Sequence, residues 1–384
     1  MCKDLHRPTT ARLPGGYGRA VAASRVHRVG SRRLATLASL AAELGISRTT
    51  VSNAYNRPDQ LSPELRQRVL DTARRIGYPG PDPVARSLRT RQAGAIGLIF
   101  TETLSYAFRD PAAVAFLEGL GLACEEAGAG LLLVPAAPGG SHDARIVHRA
   151  AVDGFVVYSM PDDDPHVAAV LERPVPAVVV DEPVDVPGVD WVGLDDRGAS
   201  AEVGRHLAAL GHRRVGVVAN RLATDRNDGP ADAGRQARIQ YAIERARLAG
   251  LADGLATAGV DWAGVPVEER FDNSPAAGES AAAALLDRHP DLSTLACTTD
   301  VFALAALSVA RDRGLRVPED LSVTGFDDVP EAADAGLTTV RQPMLDKGRV
   351  AGRLLLDEGE RPAARRVLLP TELVVRSSTA PPSR

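Results

Sequence analysis

Cysteine is scarce in this chain of 384 residues, and Cys2, Cys124 and Cys297 are odd in number, widely spaced and never in a CxxC pair. That pattern argues against a disulfide framework and against a structural zinc site, and it leaves three free thiols. The eight histidines show no HExxH or similar ligand spacing, so no metal is expected. His142/His148 and His206/His212 are each six apart, which puts the members of a pair on different faces of a helix, so they are read as surface or packing residues. No apolar run approaches the 18 or so residues of a membrane span and no signal-peptide core is present, which argues against insertion and export and for a cytoplasmic chain.

Catalytic signatures are missing too. There is no GxSxG elbow, no Walker A loop and no strand-linked GxGxxG, since Gly119-Leu120-Gly121 falls inside a helical stretch. Asp327-Asp328 are adjacent carboxylates at a strand end and point in different directions, unlike the opposed pairs of glycoside chemistry, which sit roughly 5–9.5 Å apart. Neither an enzyme nor a cofactor is expected. Lysine is almost absent, with only Lys3 and Lys347 among 45 basic residues. With abundant Ala and Gly, this bias points to GC-rich coding rather than to selection for bidentate contacts.

What is present is unevenly distributed. Residues 1 to 93 carry 17 Lys/Arg against 6 Asp/Glu, a local balance of +11, while the rest of the chain carries −15. A basic N-terminal quarter of this kind fits contact with phosphate. Within it, residues 1–34 combine eight basic residues with the single acid Asp4, include Pro14-Gly15-Gly16 and lack periodicity, so a disordered basic arm is expected.

From Thr36 the pattern becomes helical. Leu37, Leu40, Ala41 and Leu44 form an amphipathic stripe with Thr36 placed to cap it and Gly45 to stop it. After the Gly45-Ile46 turn, Ser47 caps a second helix over Arg48–Tyr55, in which Val51 faces inward toward Leu40. A third helix starts at Ser62-Pro63, carries Leu65, Val69, Ala73 and Ile76 on one face, and ends at Gly77. Then come the linker Pro79-Gly80-Pro81 and a short potential helix over Pro83–Arg89.

From Ala95 onward short apolar runs alternate with helical segments: Ala95–Phe100, Leu131–Val134, Gly154–Tyr158, Ala177–Asp181, Val215–Val218, Thr294–Cys297 and Leu321–Gly325. Such runs predict a parallel sheet buried on both faces. At about 290 residues the region exceeds one ordinary doubly wound sheet, so two Rossmann-like lobes are expected. A ligand then belongs in the cleft between them, at the carboxyl ends of strands. Asp181, Arg247, Thr299-Asp300, Asp327-Asp328 and Gln342 sit where strands end or loops begin. Charge-assisted bonds from carboxylates and Arg suit a polyhydroxylated ligand. The loop after the first strand adds Tyr106, Phe108 and Asp110, able to stack on a ring and close over it. Asp300 and Asp328 are read equally as caps of the following segments, and Arg247 has an alternative place on an exposed helix face.

Three segments together resemble the LacI/GalR family of bacterial transcription regulators: Ala42-Glu43-Leu44-Gly45-Ile46-Ser47-Arg48-Thr49-Thr50-Val51-Ser52; then Leu61-Ser62-Pro63-Glu64 with Arg75-Ile76-Gly77-Tyr78; then Ala85-Arg86-Ser87-Leu88-Arg89 ahead of Ile96-Gly97-Leu98-Ile99. The resemblance covers about Thr36 to Val375. It implies an N-terminal all-α helix-turn-helix DNA-binding domain (35–80), a hinge helix and linker (81–93), and an α/β two-lobed periplasmic-binding-protein-like domain for effector binding and dimerisation (94–376), followed by a tail (377–384). The chain is implied to cross between lobes near Gly193, Arg341 and Pro370.

The resemblance further implies that the second helix enters the major groove of a palindromic operator in double-stranded DNA. Arg48, Thr49 and Asn53 would read base edges there, Arg being suited to guanine and Asn to adenine. Ser47 and Thr50 would cap or contact phosphate. Leu88 would be the wedge inserted from the minor groove, with Arg86 and Arg89 near the phosphates. Asp181, Arg247, Thr299, Asp327 and Gln342 would contact a small-molecule effector, a sugar or related metabolite, although Thr299 stands where the family often has Asn. The implied protein is a homodimeric repressor; the tail lacks leucine heptads, so no coiled-coil tetramer is expected. The alternative is a sugar-binding protein or sensor without specific DNA binding, which leaves Thr36–Arg89 unexplained.

Overall fold

The structure, a computed structural model, describes residues 35–82, 87, 90–100, 105–136, 143–357, 359 and 363–383. Residues 1–34 of the expected basic arm and Arg86, Leu88 and Arg89 of the expected hinge lie outside the described residues. The chain forms two compact units that part between Thr90 and Arg91.

The first unit is built by local signals. Helix α1 (Leu37–Leu44) opens on a reciprocal cap in which the Ser39 N–H donates to Thr36 Oγ1 (3.1 Å) and the Thr36 N–H donates to Ser39 Oγ (2.8 Å). Gly45 closes it in the left-handed region at φ 64°, which costs glycine nothing. Helix α2 (Arg48–Asn56) is capped by Ser47, whose Oγ accepts from the Thr50 N–H at 3.0 Å. Helix α3 (Pro63–Ile76) is capped by Ser62 and ends at Gly77. The inward faces meet on Leu40, Val51 and Val69, each fully buried, with Ala41, Ala54 and Ala73 between them. Arg75 of α3 pairs with Glu43 of α1 at 2.8 Å.

The second unit alternates strand and helix: β1 (Ala95–Phe100), α4 (Pro111–Ala127), β2 (Gly130–Pro135), α5 (Arg145–Arg149), β3 (Phe155–Tyr158), α6 (Pro165–Leu171), β4 (Ala177–Val180) and β5 (Asp190–Leu194). It continues with α7 (Asp196–Leu210), β6 (Val215–Asn220), the two-residue β7 (Gly229–Pro230), α8 (Ala233–Gln236), α9 (Ala242–Ala256), β8 (Val267–Arg270), α10 (Pro275–Arg288), β9 (Thr294–Cys297) and α11 (Asp300–Asp312). Then follow β10 (Ser322–Asp327), α12 (Pro330–Asp334), β11 (Thr338–Arg341), α13 (Met344–Leu356), β12 (Arg366–Leu369) and β13 (Glu372–Val374).

Two sheets result, in the orders β12-β5-β4-β3-β1-β2 and β13-β11-β10-β9-β6-β8-β7. The first is parallel throughout; in the second, β13 runs antiparallel to β11 and β7 antiparallel to β8. Successive strand residues point to opposite faces, so each sheet feeds two apolar layers. In the first lobe Leu98, Phe100, Val156 and Val178 join α4 and α13 on one side, while Ile99, Phe155, Val157 and Val179 join Trp191 on the other.

The connection pattern gives two lobes with three crossings. The first follows Leu194, whereas Gly193 lies inside β5, one residue short of its end. The second is at Gln342-Pro343 and the third at Pro370-Thr371. The segment set apart as a tail packs on the second lobe: Ser378 Oγ donates to the Val323 carbonyl at 2.6 Å, and His212 Nε2 lies 2.9 Å from the Ala380 carbonyl. His212 is fully buried in doing so. Cys124 and Cys297 are free and buried, and no helix among the described residues is long and apolar enough to cross a membrane.

Candidate functional site

Two features combine polar chemistry with accessible geometry, one in each unit. In the helical unit, Arg48 and Thr49 are exposed in the first turn of α2, where helical side chains are free of packing. Ser47 is exposed but its hydroxyl is engaged as the cap and contacts Thr50 Oγ1 at 2.9 Å. Asn53, one and a half turns on, is half-buried and its Nδ2 donates to Gln60 Oε1 at 3.1 Å. Arg48, Thr49 and Asn53 therefore share one side of one helix, with donors and acceptors suited to base edges.

In the α/β unit a cavity of about 110 Å³ lies between the lobes. Its wall includes Tyr106, Asp110, Asp181, Arg247, Thr299, Asp327 and Gln342, all expected from the sequence. Phe108 is the exception: it does not line the cavity and is 65% exposed. Tyr106 and Phe108 are the first and last residues of one 3₁₀ turn, and a two-residue step there turns through about 240°, so the turn that buries Tyr106 presents Phe108 to solvent.

Strand ends position the acids. Asp181 follows β4 at φ 65° and Asp327 ends β10 at φ 136°, both in a region that residues other than glycine sparsely populate. Lys347 of α13, buried to 1% exposure, comes up beneath Asp181 and donates to both of its oxygens at 2.8 and 3.0 Å. Its third hydrogen goes to Gln342 Oε1 at 2.9 Å, and the Gln342 amide donates in turn to Asp327 Oδ1. An unbroken polar chain thus joins the first lobe to the second through the crossing at Gln342.

Arg247 is fixed in the wall and not on an exposed face. It pairs with Asp196 at 2.9 Å, donates to the Thr298 carbonyl at 2.7 Å, and lies 3.6 Å from the centroid of the Phe326 ring. Thr299 caps α11 and donates to Asn273 Oδ1 at 2.9 Å, so its hydroxyl is already engaged. Neither Asp300 nor Asp328 caps a helix. Asp300 accepts from Thr339 Oγ1 (2.6 Å) and from the Val329 N–H (3.0 Å), and Asp328 pairs with Arg341 and Arg376.

Other wall residues carried no motif. Glu182, Asn220, Arg221, Glu244 and Asn273 line the cavity as well. Glu244 was findable by spacing, since it lies three residues before Arg247 on α9 and so on the same face. Lys347 had its rarity as a signal. Glu182 spans the cleft: its Oε1 accepts from Ser159 Oγ in the first lobe and its Oε2 from the Ile243 N–H in the second, each at 3.1 Å. A second link runs from Asn273 Nδ2 to Tyr106 Oη at 2.9 Å.

Burial governs the protonation of this wall. It pushes the Glu182 and Glu244 carboxyls up to about 8, which leaves them mostly neutral at pH 7. Burial and the nearby Asp300 charge push Asp327 well above the carboxylate range, and burial likewise raises Asp181, against the pull of Lys347. Burial lowers Arg247, but Asp196, Glu244 and Asp327 outweigh it and leave it raised. The cavity is therefore dense in hydrogen-bonding groups yet close to balanced in charge. Among the described residues, Asp110 Oδ1, Asn220 Oδ1 and Glu244 Oε2 are buried without a hydrogen-bond partner.

A two-lobed α/β module with a polar cleft, preceded in the sequence by a small helix-turn-helix unit, has the make-up of a transcription regulator. The comparisons agree. A family model for periplasmic binding protein-like domains matches residues 205–379. A helix-turn-helix transcriptional regulator of Mycolicibacterium smegmatis is 49% identical over 358 residues, covering 91% of this chain and 98% of its own. A helix-turn-helix regulator of Mycobacterium tuberculosis is 50% identical over 354 residues, covering 92% and 99%. Among solved structures, a LacI family transcriptional regulator from Corynebacterium glutamicum superposes with a TM-score of 0.68 at 40% identity, over 90% of this chain and 98% of that one. The chain belongs to the LacI family of helix-turn-helix transcriptional regulators, and its relatives are regulators and not enzymes.

Proposed function

We propose that this protein is a cytoplasmic homodimeric repressor that binds a palindromic operator and is controlled by an uncharged, polyhydroxylated small molecule held between its lobes. The observation that carries the effector reading is the set of three unpartnered buried oxygens on Asp110, Asn220 and Glu244, converging from both lobes on one cavity. Each can bond to a ligand hydroxyl, Asn220 as acceptor and the protonated Glu244 as donor or acceptor, and leaving a buried polar oxygen unpaired costs about 1–3 kcal/mol. Because most of the surrounding acids are neutral or paired, a ligand without net charge is favoured over an anion or a cation. In support, a solved complex of the regulator CelR with cellobiose is 30% identical to this chain, with a TM-score of 0.65.

On the DNA side, Arg48, Thr49 and Asn53 read bases while Ser47 and Thr50 contact phosphate. The segment 81–93 serves as the hinge, with Leu88 the wedge and Arg86 and Arg89 beside the backbone. Tyr106, Asp110, Asp181, Arg247, Thr299, Asp327 and Gln342 form the effector wall. Ligand that binds one lobe arrangement better than the other shifts the population of the DNA-competent state by that difference in affinity.

The test is selection of bound duplexes from a random pool by the purified full chain, then a salt titration on the recovered sequence. A two-fold symmetric site with a steep salt dependence supports the reading. Binding without sequence preference overturns it in favour of a sensor that lacks specific DNA recognition.

A further inference from the structure

Asn53 is not a free side chain. It sits on α2, and its amide Nδ2 donates to Gln60 Oε1 at 3.1 Å across the turn that follows the helix. Gln60 is the last residue of the 3₁₀ turn Pro58–Gln60, whose backbone is held by the Gln60 N–H donating to the Arg57 carbonyl at 3.0 Å. Pro58 fixes φ at the start of that turn, so Gln60 is presented from a backbone with little freedom.

The chemistry of adenine recognition makes this bond consequential. An Asn side chain pairs with adenine through its carbonyl oxygen and one amide hydrogen, which meet N6–H and N7 respectively. The two atoms must lie on the same edge of the amide, so the hydrogen used is the one beside the oxygen. The other hydrogen points away from the base, and it is the one an acceptor in the protein can take without competing. A carbonyl at that place also decides which way round the amide stands. Without it the amide turns freely about its last torsion and offers oxygen and nitrogen in either order, which no longer distinguishes the base pairs.

We propose that Gln60 is a positioning residue for sequence reading: it holds the Asn53 amide in the one orientation that matches adenine. The proposal rests on the reading of α2 as the helix that enters the major groove. Gln60 itself need touch no base, and its effect is confined to the base pair that Asn53 reads. Neighbouring positions, read by Arg48 and Thr49, are unaffected.

The experiment compares full-length wild type with Asn53→Ala, Gln60→Ala and Gln60→Glu on the duplex selected by the wild type and on its single-base-pair variants. Asn53→Ala identifies the base pair concerned. Gln60→Ala is expected to lose about fivefold or more of the discrimination at that same pair, and to leave discrimination elsewhere and the salt slope unchanged. Gln60→Glu keeps an acceptor for the Asn53 amide, so it retains the base preference, while its added negative charge near phosphate lowers affinity for all sequences alike. Gln60 is exposed, so thermal midpoints equal to wild type accompany these results. A uniform loss with Gln60→Ala, or a loss at a different base pair, overturns the proposal by making Gln60 a phosphate or base contact in its own right. Discrimination unchanged in Gln60→Ala overturns it also. If Asn53→Ala alters no base preference, the groove reading of α2 fails first, which separates the two failures.

Discussion

Replacing Lys347 with Met removes the ammonium from beneath the cavity and leaves the Asp181 carboxyl buried without the cation it is hydrogen-bonded to. The pair is almost dry, with side chains 1% and 5% exposed, and the ammonium spends all three hydrogens on Asp181 and Gln342. Breaking a buried pair from one side costs about 3–5 kcal/mol, because the remaining charge keeps its desolvation penalty. At roughly 2–4 °C per kcal/mol for domains of about this size, the unfolding midpoint at pH 7 drops by something like 6–20 °C. Removing both partners, as Lys347→Met with Asp181→Asn, replaces the ion pair by neutral groups of similar volume, and most of the loss returns. The single variant also acquires a pH dependence. Its Asp181 carboxyl, freed from Lys347, titrates higher than in the wild type, so the variant's deficit shrinks as pH falls and the carboxyl takes up a proton. Circular dichroism melts of the three proteins at pH 5 and 7 measure this. A single variant within 1 °C of wild type, or a double variant as unstable as the single, refutes the assignment of the pair.

Further outcomes follow from other parts of the molecule. Glu182 and Glu244 keep their protons to about pH 8 in the folded state but lose them near pH 4.3 when unfolded, so stability falls as pH rises through that window. Each contributes a slope of up to about 1.4 kcal/mol per pH unit there, and Glu182→Gln with Glu244→Gln flattens the decline in melts taken from pH 5 to 8. Gly348→Ala places a Cβ 2.0 Å from the Phe116 carbonyl and forces α13 off α4, costing about 1–3 kcal/mol, whereas Gly121→Ala meets nothing within 4 Å and is neutral or stabilising; denaturant midpoints distinguish them. Arg48→Ala relaxes sequence preference at one base pair by about 1–3 kcal/mol in competition binding, with other positions retained.

The helical unit was legible because its determinants are local. Thr36, Ser47 and Ser62 cap, Gly45 and Gly77 stop, and the buried Leu40, Val51 and Val69 follow from helical spacing alone. Strand β8 was not legible. Val267-Glu268-Glu269-Arg270 carries three charges and no apolar run, yet all four residues are buried, because Arg235 clamps Glu269 with two bonds of 2.8 Å while Arg270 and Arg288 pair with Glu268. Arg235 and Arg288 come from elsewhere in the fold, beyond the reach of a local pattern. The same limit applies to the cavity. Asp181, Asp327 and Gln342 were visible as strand-end residues, but Lys347 reaches Asp181 across 166 positions of sequence and belongs to a helix with no motif. Phe108 went the other way: proximity to Tyr106 in sequence implied a shared role, and the turn separates their side chains.

The most direct test of ligand control is the operator affinity of the full chain, followed by fluorescence anisotropy while a panel of uncharged monosaccharides and polyols is titrated. Asn220→Ala, which deletes one of the unpartnered cavity oxygens without burying a new polar group, serves beside it. The account predicts that at least one uncharged polyhydroxy compound shifts operator affinity of the wild type tenfold or more, and that Asn220→Ala needs several times more of it with its ligand-free operator affinity intact. An affinity that responds only to charged compounds, or a response untouched by Asn220→Ala, contradicts it.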